Sequence, residues 1–447
     1  MSITNGFAVE NRIWDPVEAI PRTRLASLQL YRLKTTLARV AKVPFYQQAF
    51  ATRGIQPEAI DSLEALRELP FTTKDDLRLQ YPLGLLAVPR DQVARFHGSS
   101  GTTGKPTFVA YTKGDLQTWA DLCARFLVAG GLRPQYTAHV AFGYGLFTGG
   151  FGLHGGIERV GAAVVPAASG NTQRQIGLIQ DLQSEVLICT PSYALTLAEG
   201  ARELGLDPRA LPLRLGHFGG EPWTQDMRRQ IEEALGLVAF NNYGLSEVIG
   251  PGVSGECAVR DGLHIQEDQF LVECLDPHTL EPVPDGEPGE LVFTTLTKQA
   301  MPLLRYRTRD IARLHREPCP CGRVGARMGW VSGRTDDMLI IRGVNVFPSQ
   351  FEAALLRVSG ASAHYLIEVE RPGTLDEVTL HLEPRVGLPV DELATLEKRA
   401  TREVQNLTGI RARVRLVPPQ SLARSEGKAQ RVLDRRGLGG EALNSSQ

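Results

Sequence analysis

The chain has 447 residues, of which 42% are hydrophobic and 22% are charged, the composition of an ordinary globular protein. A chain of this length exceeds what one hydrophobic core supports, so we expect at least two domains. Its 49 Lys and Arg residues nearly balance 50 Asp and Glu residues, and the formal net charge is -1. This balance excludes a global electrostatic attraction to nucleic acid or to an anionic membrane, so any phosphate binding must be local.

The N-terminal segment and the cysteine content indicate the compartment. Residues 1–16 lack the basic start and the apolar core of a signal peptide. No stretch approaches the ~18 to 20 apolar residues that a membrane-spanning helix needs. Six cysteines in so long a chain do not make a disulfide framework. We therefore expect a cytoplasmic protein that has no membrane partner.

The first part of the chain is predicted to be helical, because apolar residues recur at helical spacing over 30–40 and the pattern stops before Pro44. From about residue 96 to 293, short apolar strands alternate with helical stretches, which predicts an α/β domain with buried sheets. In such sheets, ligands collect in the loops after strand ends. The clearest predicted strands are Ala138–Phe142, Val186–Cys189 and Leu237–Phe240.

The C-terminal part has a different pattern. Ser349 and Glu352 have the spacing of a capping box, which predicts a helix running toward Leu356. The elements predicted after it are two alternating strands near 365–370 and 378–383, a charged helix over 391–407 and a strand over 414–417. Together they predict a small α+β unit. We place the domain boundary after Gly333, which gives domains of residues 1–333 and 334–447.

A Ser/Thr/Gly-rich segment at 99–107 also contains a lysine. Glycines let backbone N–H groups crowd around an anion, hydroxyls add donors and Lys105 adds a cation, as the phosphates of a nucleotide require. The spacing differs from that of the usual P-loop. Taken alone, the segment could equally be a flexible loop without a ligand. The residues predicted to hold phosphate are Ser99, Ser100, Gly101, Thr102, Thr103, Gly104 and Lys105.

Four further motifs follow this segment in the chain. They are Asn-Asn-Tyr-Gly-Leu-Ser-Glu at 241–247, Tyr-Arg-Thr-Arg-Asp at 306–310, Gly-Arg-Thr-Asp-Asp at 333–337 and Gly-Lys at 427–428. In kind and order, the five segments resemble the phosphate loop, the Tyr-Gly-x-[Ser/Thr]-Glu segment, the ribose segment, the hinge and the catalytic lysine of the adenylate-forming superfamily. The order matters because each motif alone could have an ordinary structural explanation. Its residues could be a helix or turn cap, a charged surface residue or an exposed lysine in the tail.

Other segments resemble the phenylacetate–coenzyme A ligase branch, which contains aryl-CoA ligases. They lie at 143–150, 190–193, 221–223 and 342–348. The resemblance covers nearly the whole chain and implies an α/β fold, with a large N-terminal adenylate-forming domain of mixed sheets and helices and a small mobile α+β C-terminal domain. It implies that a carboxylate and ATP form acyl-AMP and pyrophosphate, after which the thiol of CoA displaces AMP. It also favours a homodimer.

Two other functions stay open from the sequence. An adenylating enzyme that loads a carrier-protein thiol would use the same ATP-binding motifs, because only the second step differs. A non-catalytic adenylate sensor on the same fold is a further alternative. The presence of Lys105, Glu247, Asp310 and Lys428 favours an enzyme over a sensor.

The resemblance implies roles for single residues. Glu247 would hold Mg²⁺, a hard cation that prefers carboxylate oxygen. Lys428 would stabilise charge on the α-phosphate and the carboxylate during adenylation. Asp336 would be the hinge about which the small domain turns. The other implied nucleotide contacts are Gly219, Gly220 and Glu221 at the adenine, Asn242, Tyr243 and Gly244 beside them, Ser246 at the α-phosphate, Asp310 at the ribose and Arg334 at ribose or phosphate.

The resemblance places the acyl pocket between residues 142–147 and residues 216–219. Phe142, Tyr144 and Phe147 would offer flat walls suited to an aryl acid, although they could also be core aromatics. Departures from the usual phenylacetate pattern keep a polar-substituted acid, such as an aminobenzoate, as an alternative substrate. They are Phe142 in place of Tyr, Gly155 in place of a bulky aromatic residue, His217 in place of an aliphatic residue and Gly220 in place of Ala.

Cys257, His264, Cys319 and Cys321 form a second candidate site. Three thiolates and an imidazole suit a tetrahedral zinc ion. The Cys-Pro-Cys turn is shorter than the usual Cys-x-x-Cys, but some relatives that this chain resembles carry similar sets as a structural site. The alternative is four unconnected residues, because free cysteines are often buried. The resemblance thus implies ATP, Mg²⁺ and CoA as cofactors, and the Cys/His set adds a candidate structural Zn²⁺.

Overall fold

A computed structural model describes residues 8–98, 107–335, 337–342, 344–372, 375–424 and 431–436. The chain divides into two compact units. The first unit consists of Met1–Cys189, Arg209–Gly220 and Gly236–Trp330. The second unit consists of Thr190–Pro208, Glu221–Leu235 and Val331–Gln447. Within the described residues, no helix combines the length and the apolar character that crossing a bilayer requires.

The first unit contains six α-helices and thirteen strands in its described residues. The helices are α1 (Arg22–Val40), α2 (Pro44–Arg53), α3 (Lys74–Leu79), α4 (Lys113–Ala129), α5 (Thr148–Val160) and α6 (Thr172–Asp181). The strands are β1 (Val93–Gly98), β2 (Phe108–Thr112), β3 (Thr137–Val140), β4 (Ala163–Val165), β5 (Val186–Cys189), β6 (Leu215–Phe218), β7 (Val238–Leu245), β8 (Gly250–Glu256), β9 (Leu263–Ile265), β10 (Phe270–Leu275), β11 (Pro288–Thr295), β12 (Tyr306–His315) and β13 (Arg327–Met328).

Eleven of these strands form one mixed sheet in the order β10-β11-β12-β13-β9-β8-β7-β6-β5-β3-β4. Strands β3 to β7 pair in parallel, and β7 to β13 pair antiparallel. Because β4 and β5 lie on opposite sides of β3, the strand order reverses there. The crevice outside the carboxyl ends of β3 and β5 is therefore a natural ligand site.

The predicted elements of this unit are confirmed, with shifted ends. Helix α1 contains the apolar stripe, and its inner face is buried at Leu33, Leu37 and Val40. Strand β5 has the predicted bounds, whereas β3 ends two residues earlier than expected. Strand β7 continues to Leu245 and so contains most of the 241–247 motif. It extends this far because β8 pairs with it from Asn242, opposite Gly255, to Leu245, opposite Gly250.

Strands β1 and β2 form a separate antiparallel pair, in which Gly98 lies opposite Phe108. In the sequence, the segment predicted to hold phosphate comes between these two strands. Helix α4 follows β2 directly and begins with a capping box. In that box the N–H of Asp115 donates to Thr112 Oγ1 at 3.0 Å, and the N–H of Thr112 donates to Asp115 Oδ2 at 2.9 Å.

The second unit has four α-helices and seven strands in its described part. The helices are α7 (Pro191–Glu203), α8 (Gln225–Leu235), α9 (Pro348–Leu356) and α10 (Val390–Thr408). The strands are β14 (Gly333–Arg334), β15 (Leu339–Ile341), β16 (Val344–Val346), β17 (Ala361–Glu370), β18 (Glu377–Pro384), β19 (Arg413–Leu416) and β20 (Val432–Asp434). The order β19-β18-β17-β20 gives a four-stranded sheet, and α9 and α10 pack on its apolar residues. The α+β pattern predicted for the tail is thus confirmed.

The predicted capping box of Ser349 and Glu352 is wrong. Helix α9 begins at Pro348, which suits a first helical position because it has no N–H to leave unsatisfied. The cap comes instead from Gln350, whose Oε1 accepts from the N–H of Phe347 at 2.8 Å. The side chain of Glu352 points into the core, where its Oε2 accepts from Tyr365 Oη at 2.7 Å.

Candidate active site

The end of β7 and strand β12 meet through two of the predicted site residues. The phenol of Tyr243 donates a hydrogen bond of 2.6 Å to Oδ2 of Asp310. Asp310 is buried, and its backbone N–H donates to Thr308 Oγ1 at 3.0 Å. A carboxylate that accepts from a phenol at this distance makes a short, charge-assisted hydrogen bond, which orients it.

Glycines allow the backbone to pack closely beside this pair. A Cβ on Gly219 would lie 2.5 Å from the carbonyl oxygen of Asn242, and one on Gly244 would overlap the carbonyl oxygen of Gly250. The amide of Asn242 donates to the carbonyl of Phe218 at 2.8 Å and ties β7 to the end of β6. Asn242 therefore occupies the space that a side chain on Gly219 would need, and the adenine contact of Gly219 stays a prediction.

Gly220 comes next and has a φ of +81°, a conformation that favours glycine over other residues. The predicted contact residue Glu221 belongs to the second unit. There its Oε1 accepts from the N–H of Ser192 at 2.8 Å, in the first turn of α7. In the same unit, Arg334 forms an ion pair with Asp337, with 3.5 Å between Nε and Oδ2. Its neighbour Asp336 lies outside the described residues, as do Lys428 and the whole Ser99–Lys105 segment.

Ser246 and Glu247 follow β7 in a tight turn. The hydroxyl of Ser246 is 2.8 Å from Thr148 Oγ1 at the start of α5. The carboxylate of Glu247 is mostly buried and pairs with Lys74, with 3.7 Å between Oε1 and Nζ. A second lysine, Lys298, is fully buried next to the turn and donates to the carbonyls of Glu247 and Val248 at 3.1 and 2.9 Å.

Burial lowers the pKa of Lys298 to about 8, against the opposing effect of the negative charges of Asp115 and Glu247. The ammonium form therefore still predominates at neutral pH, and it has three N–H donors for the groups around it. The sequence analysis missed both Lys74 and Lys298. The one signal for Lys298 was a lone lysine between Thr297 and Gln299, a few residues before the 306–310 motif.

The three predicted pocket aromatics lie between β3 and the first turn of α5. Phe142 has its ring 3.6 Å from the position of a Cβ on Gly149. Tyr144 packs edge-on against Phe151, and its hydroxyl is 3.3 Å from His154 Nδ1. Burial raises the pKa of this phenol. Phe147 is 48% exposed, so it is not a core residue.

His217 lies on β6, and only 1% of it is exposed. Its ring stacks on Phe240 of β7 and meets Phe126 of α4 edge-on. Its described neighbours include none of the three pocket aromatics. Within the described residues, His217 Nε2 is buried without a hydrogen-bond partner. Burial lowers the pKa of this imidazole to about 3, so it is neutral at pH 7.

The structure brings Cys257, His264, Cys319 and Cys321 together. All four are buried, and their ligand atoms lie within 4.8 Å of one another. Cys257 follows β8 and His264 lies on β9, which pairs with β8, while the two other cysteines come from the loop between β12 and β13. Gly322, with a φ of +85°, closes the Cys-Pro-Cys turn.

The spacing of these atoms fits one tetrahedral ion. Cys257 Sγ and Cys319 Sγ are 3.9 Å apart, and Cys321 Sγ is 3.3 Å from His264 Nε2. With the usual Zn–S and Zn–N bond lengths, tetrahedral geometry puts two sulfurs about 3.8 Å apart and sulfur and nitrogen about 3.6 Å apart. Hydrogen bonding from Cys257, and then contact with His264, lowers the pKa of the Cys321 thiol. A thiolate is the form that binds metal.

Comparison with known proteins decides the family. Residues 41–297 match the sequence profile of the AMP-binding enzyme, and residues 343–436 match that of the AMP-binding enzyme C-terminal domain. A phenylacetate-coenzyme A ligase of Thermus thermophilus is 52% identical over 438 residues, covering 94% of this chain and 98% of the relative. This chain belongs to the phenylacetate-coenzyme A ligase family.

Other members of the phenylacetate-coenzyme A ligase family are similar over the same length. One from Escherichia coli is 47% identical and covers 97% of this chain and 100% of its own. A crystal structure of 2-hydroxyisobutyryl-CoA ligase in complex with 2-HIB-AMP has a TM-score of 0.90 at 31% identity, covering 98% of this chain and 96% of that one. These matches confirm the predicted superfamily and fold class. The protein is an AMP-forming acid–thiol ligase.

Proposed function

We propose that this protein joins phenylacetate to CoA through phenylacetyl-AMP. The observation that carries the proposal is the similarity to phenylacetate-coenzyme A ligases, four of which are 46% to 52% identical over at least 94% of this chain. The reaction has two half-reactions. The carboxylate attacks the α-phosphorus of ATP and releases pyrophosphate, and the CoA thiol then attacks the acyl carbon and releases AMP. These relatives are named as coenzyme A ligases, which supports CoA, and not a carrier-protein thiol, as the acceptor of the acyl group.

The nucleotide roles are proposals, and most of the described residues concerned lie at the ends of β6 and β7 or within β12. Asp310 accepts from the ribose hydroxyls, which the oriented carboxylate beside Tyr243 supports. Glu247 holds Mg²⁺, and Ser246 reaches the α-phosphate. The remaining proposed contacts are Ser99, Ser100, Gly101, Thr102, Thr103, Gly104 and Lys105 at the β- and γ-phosphates, Gly219, Gly220, Glu221, Asn242, Tyr243 and Gly244 around the adenine, and Arg334 at ribose or phosphate.

Lys428 is the proposed source of positive charge during adenylation. The transition state carries charge on the α-phosphate and on the attacking carboxylate, and a positioned ammonium stabilises both. CoA needs access to the same acyl carbon in the second half-reaction. We therefore propose that the C-terminal domain rotates about Asp336 between the two steps, which removes the lysine and admits the thiol.

The acyl pocket is proposed at the crevice beyond β3, where Phe142, Tyr144 and Phe147 supply aromatic surface. Phenylacetate suits such walls. A benzoate with a ring amine or hydroxyl is the second candidate, because the buried Nε2 of His217 has no partner in the described structure and could bond such a group. A neutral histidine can serve as either donor or acceptor.

We propose that a zinc ion is bound by the side chains of Cys257, His264, Cys319 and Cys321. The four atoms are buried and their separations suit a tetrahedral ion, which supports a closed structural site. Such an ion would tie the β8–β9 hairpin to the loop before β13.

A panel of acids with ATP and CoA tests this function, with the thioester detected by mass. We expect phenylacetate to give the highest kcat/KM, with benzoates next and straight-chain acids of similar size last. AMP release should need CoA. If instead a carrier protein supports AMP release and CoA does not, the acceptor is wrong. If His217→Ile weakens only the amino- and hydroxybenzoates, the second candidate substrate class gains support, and an equal loss for all aryl acids would make His217 structural.

A further inference from the structure

The turn that carries Glu247 is held by buried side chains that bond to its backbone. Four carbonyl oxygens of the turn and the start of β8, within residues 247–251, accept from four side chains, one of which is the thiol of Cys123 at 3.3 Å from Pro251 O. Lys298 Nζ donates to Glu247 O and Val248 O at 3.1 and 2.9 Å, Tyr111 Oη to Ile249 O at 3.0 Å and Trp119 Nε1 to Pro251 O at 2.7 Å. A tight turn at the end of a strand usually leaves such carbonyls to water. Here their direction is set by the protein core.

Lys298 is the charged member of this cluster. Only 3% of the residue is exposed, and its ammonium lies 4.8 Å from the centre of the Tyr111 ring. Taking an ammonium out of water is costly unless hydrogen bonds and nearby charge replace the lost hydration. The two carbonyls, the face of Tyr111 and the negative charge of Asp115 supply them.

Asp115 fixes the loop from which Lys298 reaches the turn. Its Oδ1 accepts from the N–H of Gln299 at 2.6 Å, and its Oδ2 accepts from the N–H of Ala300 at 3.0 Å. The same carboxylate caps the start of α4 through Thr112. One carboxylate therefore holds both the loop that carries Lys298 and the junction between β2, which carries Tyr111, and α4, which carries Trp119.

We propose that Lys298 is a positioning residue for Glu247 and sets the affinity of the active site for Mg²⁺. Lys298 donates its hydrogen bond to the backbone carbonyl of Glu247 and not to its carboxylate. It therefore orients the residue without occupying the carboxylate oxygens that would bind the cation. Its loss leaves two buried carbonyls unsatisfied and lets the turn move. The inference rests on the proposed role of Glu247 in holding Mg²⁺.

The test compares full-length Lys298→Met, Lys298→Arg and wild type by pyrophosphate release at varied Mg²⁺. Loss of a group that orients a metal ligand weakens metal affinity about 10- to 100-fold, so Lys298→Met should need at least ~10-fold more Mg²⁺ for half-maximal rate. Lys298→Arg keeps a cation and donors, so it should recover part of the difference. The KM for the acid should change little. Lys113→Met is the matched control, because this exposed lysine lies nearby at the start of α4.

Glu247→Gln separates the inference from the role on which it rests. If Glu247→Gln leaves the Mg²⁺ requirement unchanged, the metal role of Glu247 fails and the inference fails with it. If Glu247→Gln raises the requirement but folded Lys298→Met does not, Lys298 is only a structural residue. Should Lys298→Met not fold, Tyr111→Phe decides the question, since it removes one donor to the same turn. An increase of about 3-fold or more in its Mg²⁺ requirement supports positioning through the turn, and an unchanged value overturns it.

Discussion

The phenol of Tyr243 is held 2.6 Å from Oδ2 of Asp310, although the two residues lie 67 positions apart in the chain. A hydrogen bond to a charged group contributes about 1.5 to 3 kcal/mol when one partner is lost. Removal of the phenol would remove one contact that orients the carboxylate, and with it part of the support for the proposed ribose contact. The bond therefore links the Tyr-Gly-x-Ser-Glu segment to the proposed ribose contact.

Tyr243→Phe should raise the KM for ATP by roughly 10-fold, with a smaller change in the KM for the acid. The measurement is the initial rate at varied ATP and saturating acid and CoA. Tyr31→Phe is the control, because that phenol is 70% exposed on α1. An unchanged KM for ATP would show that Asp310 keeps its orientation without Tyr243.

Lys428→Ala should lower the rate of acyl-AMP formation about 10²- to 10³-fold, the scale of losing one preorganised donor. Thioester formation from supplied acyl-AMP should be affected much less, because the proposed role of the lysine is confined to the first half-reaction. The two steps are measured separately by pyrophosphate release and by acyl-CoA mass. Lys398→Ala, an exposed lysine of α10, is the control. Equal losses in both steps would refute the assignment.

The Cys/His cluster should hold about one zinc per chain by elemental analysis of the purified protein. Changing both Cys319 and Cys321 to Ser should remove the metal and lower Tm by roughly 5 °C, because a structural metal contributes folding free energy. Cys274→Ser is the matched control, since this cysteine is also buried but lies outside the cluster. Zinc-free wild type with the same Tm as the double variant would exclude the site.

His217 should make the protein less stable in mild acid. Its folded pKa of about 3 lies below the usual value of 6.5, so only the unfolded chain takes up a proton as the pH falls through 6.5. The penalty is absent above pH 6.5 and grows below it, reaching about 2 kcal/mol at pH 5. His217→Leu should therefore lose less stability than wild type between pH 7 and pH 5, measured by urea denaturation. His278→Leu, at an exposed site, should behave like wild type.

The sequence by itself determined the elements and the family. Periodicity predicted α1, β5 and the α+β tail, since these patterns depend on residues close together in the chain. The order of five motifs predicted the superfamily, which the comparisons confirmed. One local prediction was wrong, because Ser349 and Glu352 have the spacing of a capping box but do not form one. The helix begins at Pro348, and the side chain of Glu352 is buried in the core, where it accepts a hydrogen bond from Tyr365.

Only the tertiary structure decided which distant side chains meet. Lys298 reaches the carbonyl of Glu247 across 51 positions, and Cys257 meets Cys319 across 62. These pairs arise from strand order and from the loops between strands, neither of which leaves a periodic trace in the sequence. The neighbouring sequence does not distinguish a buried lysine from an exposed one, because burial depends on elements from elsewhere in the chain that pack against it.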